Sequence, residues 1–150
     1  MVDDEPSVLV TYRLILERRG YAVKTASTSV EANRLIEEFR FDLLLCDYSL
    51  EQEHTGFEVI ERGRARDSNV KAMLLTGYAS KETFDRAREN GILVLFKPID
   101  IEEFFRTLEN LMRGENAESN EAKREEGNKE EVSGKKGRQQ SRAAHPHSKD

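Results

Sequence analysis

The 150-residue chain has a single cysteine and no tryptophan. One cysteine, Cys46, excludes an internal disulfide and fits a reducing compartment. No apolar run approaches the length of a membrane span, and no secretory leader pattern is visible, so the expected location is the cytoplasm, away from any membrane. Large apolar residues are scarce at one end: from Gly114 onward Val132 is the only large aliphatic residue. Such a segment cannot bury enough apolar surface to offset its ordering entropy. The expectation is a folded part at 1–113 and a disordered, charged tail at 114–150. No internal repeat is present.

Charged residues make up 35% of the chain and the net charge is −5. The tail holds eight acidic and eight basic residues, so the whole imbalance lies in the folded part. Lys135, Lys136, Arg138 and Arg142 cluster late in the tail, but such a run reads as solvated chain, and no nucleic-acid partner is expected.

Helical and strand-like segments alternate through the first 113 residues. Pro6 suits the first turn of a helix, and Gly20 its end, with Arg18 and Arg19 in the last turn. "YAVKTA" (21–26) predicts a short strand. Ala32, Leu35, Ile36 and Phe39 predict a helix face, with Ser27 or Ser29 as its cap. "FDLLLCD" (41–47) reads as a parallel strand covered on both faces, because its leucines run on without alternation. A polar loop, "YSLEQEHTG", leads into a helix through Phe57, Val59 and Ile60. "VKAMLLT" and "ILVLF" predict two more strands, separated by a thinly apolar helix around Phe84. Asp100 and Glu103 have capping-box spacing before the stripe Ile101, Phe104, Phe105, Leu108 and Leu111. This alternation predicts a flavodoxin-like, doubly wound α/β fold with a five-stranded parallel sheet in the order 2-1-3-4-5.

In such sheets the functional crevice lies at the carboxyl ends of the strands. There the chain places Asp3 and Asp4 after the first strand, Asp47 after the third, Thr76 after the fourth and Lys97 after the fifth. Three converging carboxylates need a counter-charge, and a few carboxylates plus water is how Mg²⁺ is usually held. Lys97 adds a fixed ammonium and Thr76 a hydroxyl. Together they make a socket for a small oxyanion over one carboxylate, which suits phosphoryl transfer onto Asp47.

These residues, in "VDDEP" (2–6), "FDLLLCD" (41–47), "LLTGYA" (74–79) and "LFKP" (95–98), resemble the receiver domains of two-component response regulators. The resemblance covers about residues 1–113. It implies that Asp47 is phosphorylated by a phosphohistidine on a sensor histidine kinase or a histidine phosphotransfer protein. It implies that Asp4, Asp47 and the main-chain carbonyl of Ser49 bind Mg²⁺ directly, and that Asp3 helps through water. Lys97 would pair with the phosphoryl group, and Thr76 would swing in to bond it. Ser49, Gly77, Tyr78 and Val94 flank the site as modulators. A stand-alone receiver of this kind is a switch for a downstream protein and not a turnover enzyme.

The chain departs from the family's pattern in four places. Only Met1 and Val2 precede the acid pair, where a full first strand is usual. Unpaired buried backbone groups cost about 1–3 kcal/mol each, against a total stability of about 5–15 kcal/mol, so the expectation is a start upstream of Met1. Val94 stands where an aromatic residue is usual. Glu51 stands four residues after Asp47, where proline is frequent, in a loop one residue longer. Gly63 replaces an apolar helix residue. Two other readings stay open: a phosphorylation-independent interaction module on the same fold, and a phosphohydrolase with Asp47 as nucleophile. Against the second, Ser49 occupies the position where haloacid-dehalogenase-type enzymes carry another Asp. Cys46 reads as a core residue turned to the other face of its strand, and His54 as a solvated loop residue.

Overall fold

The computed structural model describes residues 1–114; the tail expected from 114 onward otherwise lies outside the described residues. Among the described residues the helices and strands follow in the order α1 (Pro6–Arg18), α2 (Ser29–Glu38), β1 (Leu43–Asp47), α3 (Gly56–Arg66), β2 (Lys71–Thr76), α4 (Lys81–Glu89), β3 (Leu93–Phe96) and α5 (Ile101–Met112), alternating from β1 onward. A 3₁₀ turn, Glu51–Glu53, lies in the loop after β1.

The strands form a parallel sheet in the order β1-β2-β3. Where the sequence predicts two further strands, only single parallel bridges form, joining Val2 to Ala26 on one side and to Cys46 on the other. The reason is pairing. "YAVKTA" has the Val2 segment as its neighbour, and Met1 and Val2 offer one bridge where a ladder needs several residues. The backbone groups available are used: Val2 N–H donates to Leu45 O at 2.8 Å, Asp47 N–H to Val2 O at 2.8 Å, and Ala26 N–H to Met1 O at 2.9 Å.

Helix ends follow local chemistry. Pro6 opens α1 as expected. The cap of α2 is neither Ser27 nor Ser29 but Thr28, whose extended backbone aims Oγ1 at the Glu31 N–H, 3.1 Å away. Ser27 instead donates to the Glu31 carboxylate, and Ser29 to Glu51. Thr55, Ser80 and Asp100 cap α3, α4 and α5; Asp100 accepts from the Glu103 N–H at 2.8 Å.

Strand alternation divides the core in two. Leu44, Cys46, Ala72 and Leu74 pack with Ala32, Ile36, Phe57, Val59 and Ile60. Leu45, Met73, Leu75 and Leu95 pack with Leu16, Phe104, Phe105 and Leu108 on the opposite face. Burial of side chains such as Phe104 and Leu108 contributes about 1.5–3 kcal/mol each. Gly63 has a packing reason: a Cβ there would lie 2.4 Å from Leu44 Cδ1, so glycine lets α3 settle onto β1. Only Ala87 of α4 is buried, in keeping with its thin apolar stripe. Among the described residues no helix is long and apolar enough to cross a membrane.

Candidate functional site

The bridges of Val2 bring the acid pair to the end of β1. Asp3 N–H donates to Ala26 O at 3.2 Å, and the Asp3 side chain is fully buried, its Oδ1 accepting from the Glu5 N–H at 2.9 Å. Asp47 closes β1 and is 8% exposed, while Asp4 faces solvent. Carboxylate oxygens of Asp3, Asp4 and Asp47 all lie within 4.8 Å of one another. From the far side Lys97 reaches both buried acids, with Nζ 3.4 Å from Asp3 Oδ2 and 3.3 Å from Asp47 Oδ1. Its own N–H donates to Thr76 O at 2.7 Å, which holds the end of β3 against β2, and the Lys97–Pro98 peptide is cis.

Three carboxylates face one ammonium. Burial pushes the Asp47 carboxyl above the ordinary value of 3.8; Lys97 opposes the rise, and Asp3 and Asp4 add to it. For Lys97 burial works to lower the pKa, but Asp47 and Asp3 together outweigh it and hold the ammonium above its ordinary range. The acids therefore lack full compensation. An all-oxygen, anionic donor set of this size fits a hard divalent cation such as Mg²⁺.

Thr76 is buried at the end of β2, but its hydroxyl is engaged locally. Oγ1 donates to Tyr78 O at 2.7 Å and accepts from the Tyr78 N–H at 3.2 Å. The structure thus gathers Asp3, Asp4, Asp47 and Lys97, and leaves Thr76 turned into its own loop. Gly77 has open space around it, and the Tyr78 ring is 77% exposed. Val94 is half-buried, paired with Leu74 and packed on the core. Ser49 is exposed and forms an antiparallel bridge with Thr55 at the base of the loop after β1.

Three features escape sequence reasoning. Phe96, opposite Thr76 in the sheet, stacks on Phe84 of α4 with centroids 6.3 Å apart. The Tyr48 hydroxyl lies 3.4 Å from Thr83 Oγ1. Glu51 reaches back to Ser29. Helical spacing marked Phe84 only as a helix residue, and nothing in the spacing of the others pairs them. His54 lies outside the acid cluster, its Nδ1 2.9 Å from Glu58. Cys46 is fully buried, and burial pushes its thiol up to about 12, as suits a core residue.

A parallel α/β domain with an acid cluster and a lysine at the carboxyl edge of its sheet defines a class. The family model of the response regulator receiver domain matches residues 1–109, and the chain belongs to that family. It is 27% identical over 104 residues to sporulation initiation phosphotransferase F of Bacillus subtilis, an alignment covering 69% of this chain and 83% of that protein. It is 32% identical over 99 residues to the alginate biosynthesis transcriptional regulatory protein AlgB of Pseudomonas aeruginosa, covering 65% of this chain and 22% of the regulator. The chain thus spans about a quarter or less of the transcriptional regulators it matches. Among solved structures, a CheY-like receiver domain protein from Methanospirillum hungatei superposes with a TM-score of 0.70 at 29% identity, covering 76% of this chain and 91% of that one. A Burkholderia pseudomallei response regulator, solved with a phosphorylated aspartic acid, calcium ion and citrate, gives 0.68 at 28% identity, covering 83% of this chain and 69% of that one. The relatives of this chain are response regulators.

Proposed function

We propose that this receiver accepts a phosphoryl group on Asp47 from a histidine kinase or histidine phosphotransfer protein and presents an altered face to a downstream protein. The observation that carries this reading is Lys97 Nζ, held within 3.4 Å of both Asp3 and Asp47 beside the acid cluster. An Asp47 oxygen forms the new O–P bond as the donor's P–N bond breaks, and the ring nitrogen keeps the electron pair. Lys97 lies where an oxygen of the incoming group gains an ammonium partner. Thr76 then exchanges its bond to Tyr78 O for one to the phosphoryl group. Asp4, Asp47 and the Ser49 carbonyl would hold Mg²⁺, with Asp3 acting through water. When bound, the cation supplies the positive charge that lets the acids and the phosphoryl oxygens coexist.

The readout face is α4, β3 and α5, where phosphorylation biases a two-state equilibrium. Gly77, Tyr78 and Val94 border it, and the exposed Tyr78, Phe96 and Ile101 offer apolar contact. The same reading gives the sheet five positions in the order 2-1-3-4-5, with β1, β2 and β3 third to fifth. The two bridges of Val2 support the first two. The receiver is taken as residues 1–113 of a cytoplasmic protein.

Incubation with acetyl phosphate and Mg²⁺ is expected to add one phosphoryl group to the intact mass, and EDTA to prevent it. An unchanged mass with Mg²⁺ present would favour the phosphorylation-independent module, for which Val94 at the switch position already speaks.

A further inference from the structure

The loop after β1 closes on itself. Leu50 N–H donates to His54 O, His54 N–H to Glu51 O, and Gly56 N–H to Tyr48 O, at 2.8–2.9 Å. Its tip is strained, because Gln52 and Glu53 both adopt positive φ, 51° and 64°. A left-handed conformation is unfavourable for a non-glycine residue, so contacts outside the tip must hold this shape.

The contact that does so is made by Glu51. Its Oε1 accepts from both the N–H and the hydroxyl of Ser29, each at 2.6 Å and 22 residues away in sequence. Both bonds are short and charge-assisted. Ser29 is the first residue of α2 and is 4% exposed, so the bonds are shielded and sit where a helix favours negative charge. Glu51 is not part of the acid cluster, which is made by Asp3, Asp4 and Asp47.

We propose that Glu51 is a positioning residue for the phosphoryl-acceptor site: by tying the loop to α2 it fixes the Ser49 carbonyl that completes the Mg²⁺ ligand set. The proposal rests on the functional reading above. Ser49 lies midway between Asp47, fixed as the last residue of β1, and Glu51, fixed on Ser29. Both ends of this five-residue span are therefore anchored. Ser49 is also bridged to Thr55, and Leu50 N–H is bonded to His54 O, so the loop behaves as one closed piece. With the second anchor cut, the two left-handed residues can relax and shift that piece, Ser49 with it. A proline at this position would stiffen the chain locally; a glutamate reaches across to another element instead.

The test compares the 150-residue chain with its Glu51→Ala, Glu51→Gln, Ser29→Ala and Glu51→Ala/Ser29→Ala variants. Mg²⁺ affinity is read by titration calorimetry, the labelling rate by acetyl phosphate at saturating Mg²⁺, and the fold by metal-free melting. Glu51→Ala is expected to weaken Mg²⁺ about tenfold, the low end for residues that support a metal's direct ligands, with labelling at saturating Mg²⁺ changed less than about twofold. Glu51→Gln keeps the accepting oxygen and is expected to recover most of the affinity. Ser29→Ala removes one of the two bonds and is expected to have a smaller effect, with little added in the Glu51→Ala background. Unchanged Mg²⁺ affinity in Glu51→Ala overturns the proposal. So does a Glu51→Gln variant as weak as Glu51→Ala, since charge and not the tie would then be responsible. If Glu51→Ala does not fold, Glu51→Gln and Ser29→Ala still decide, because parental affinity in Ser29→Ala together with a tenfold loss in Glu51→Gln overturns the tie. A parent protein that binds no Mg²⁺ overturns the functional reading itself, an outcome distinct from equal affinities in parent and variants.

Discussion

Asp47→Asn is expected to abolish phosphoryl acceptance and, in the same protein, to raise the melting temperature measured in EDTA. The two effects have one cause. Asp47 is buried beside Asp3 and Asp4, and burial first, then its acidic neighbours, lifts its carboxyl above the ordinary value in spite of Lys97. A folded-state pKa above the unfolded one means that the side chain's favourable contribution is full below about 3.8. That contribution is lost as pH rises through the lifted value. At neutral pH the ionised Asp47 therefore weighs against the metal-free fold, and a neutral amide of the same shape does not. The melting-temperature gap between variant and parent should be absent at the acid end and open as pH climbs through that window. Mg²⁺ should reverse the order. At a hundredfold excess over its dissociation constant, a ligand that binds only the folded state adds about 2.7 kcal/mol. The parent gains this, and the variant, lacking one anionic donor, gains less. Paired melts in EDTA and Mg²⁺ check both signs. A variant less stable than its parent without metal would mean that the Lys97 pairing outweighs burial.

Gly56→Ala is expected to be the most disruptive small substitution in the domain. A Cβ at Gly56 would sit 2.2 Å from Asp47 O, 2.8 Å from Cys46 Cβ and 3.0 Å from Asp47 C. Two of these three atoms are backbone at the end of β1, held by the Val2 bridge on one side and by β2 on the other. No rotamer change relieves the clash, so α3 or the strand must move. Overpacking of this kind costs about 3 kcal/mol, a large share of the about 5–15 kcal/mol available to such a domain. The displaced atoms belong to Asp47, so labelling by acetyl phosphate should fall together with stability. Gly63→Ala provides the contrast, because its clash is with the far end of the Leu44 side chain, which can turn aside. Alanine also favours the helix by about 1 kcal/mol. Urea melts of the two variants should differ by a wide margin, and equal midpoints would contradict the packing argument.

Three of the candidate site residues are legible in sequence because each ends an apolar run. Asp47 closes three leucines and a cysteine, Thr76 closes "AMLL", and Lys97 closes "LVLF". A strand-end rule then gathers them without knowledge of any contact. The orientation of Thr76 is another matter: its bonds to Tyr78 depend on a loop conformation that no spacing encodes. The predicted strand at "YAVKTA" shows a second limit. A strand at a sheet's edge exists only as far as its neighbour pairs with it, and β propensity cannot report the neighbour's length. Ser27, Thr28 and Ser29 are all competent caps, and backbone angles chose among them. The tie from Glu51 to Ser29 is invisible for a similar reason, since an acid in a polar loop has the same sequence signature whether it meets water or a helix end.

The measurement that bears most directly on the central claim locates the phosphoryl group. The protein is incubated with acetyl phosphate and Mg²⁺, the acyl phosphate is reduced with borohydride, and the peptides are sequenced. Reduction of an aspartyl phosphate leaves homoserine, and the account predicts it at position 47, in the peptide carrying "LLLCDYSL", and not at Asp3 or Asp4. Homoserine at either of those acids, or phosphate retained on Ser49 or Thr76 after reduction, would contradict the assignment of Asp47 as the acceptor.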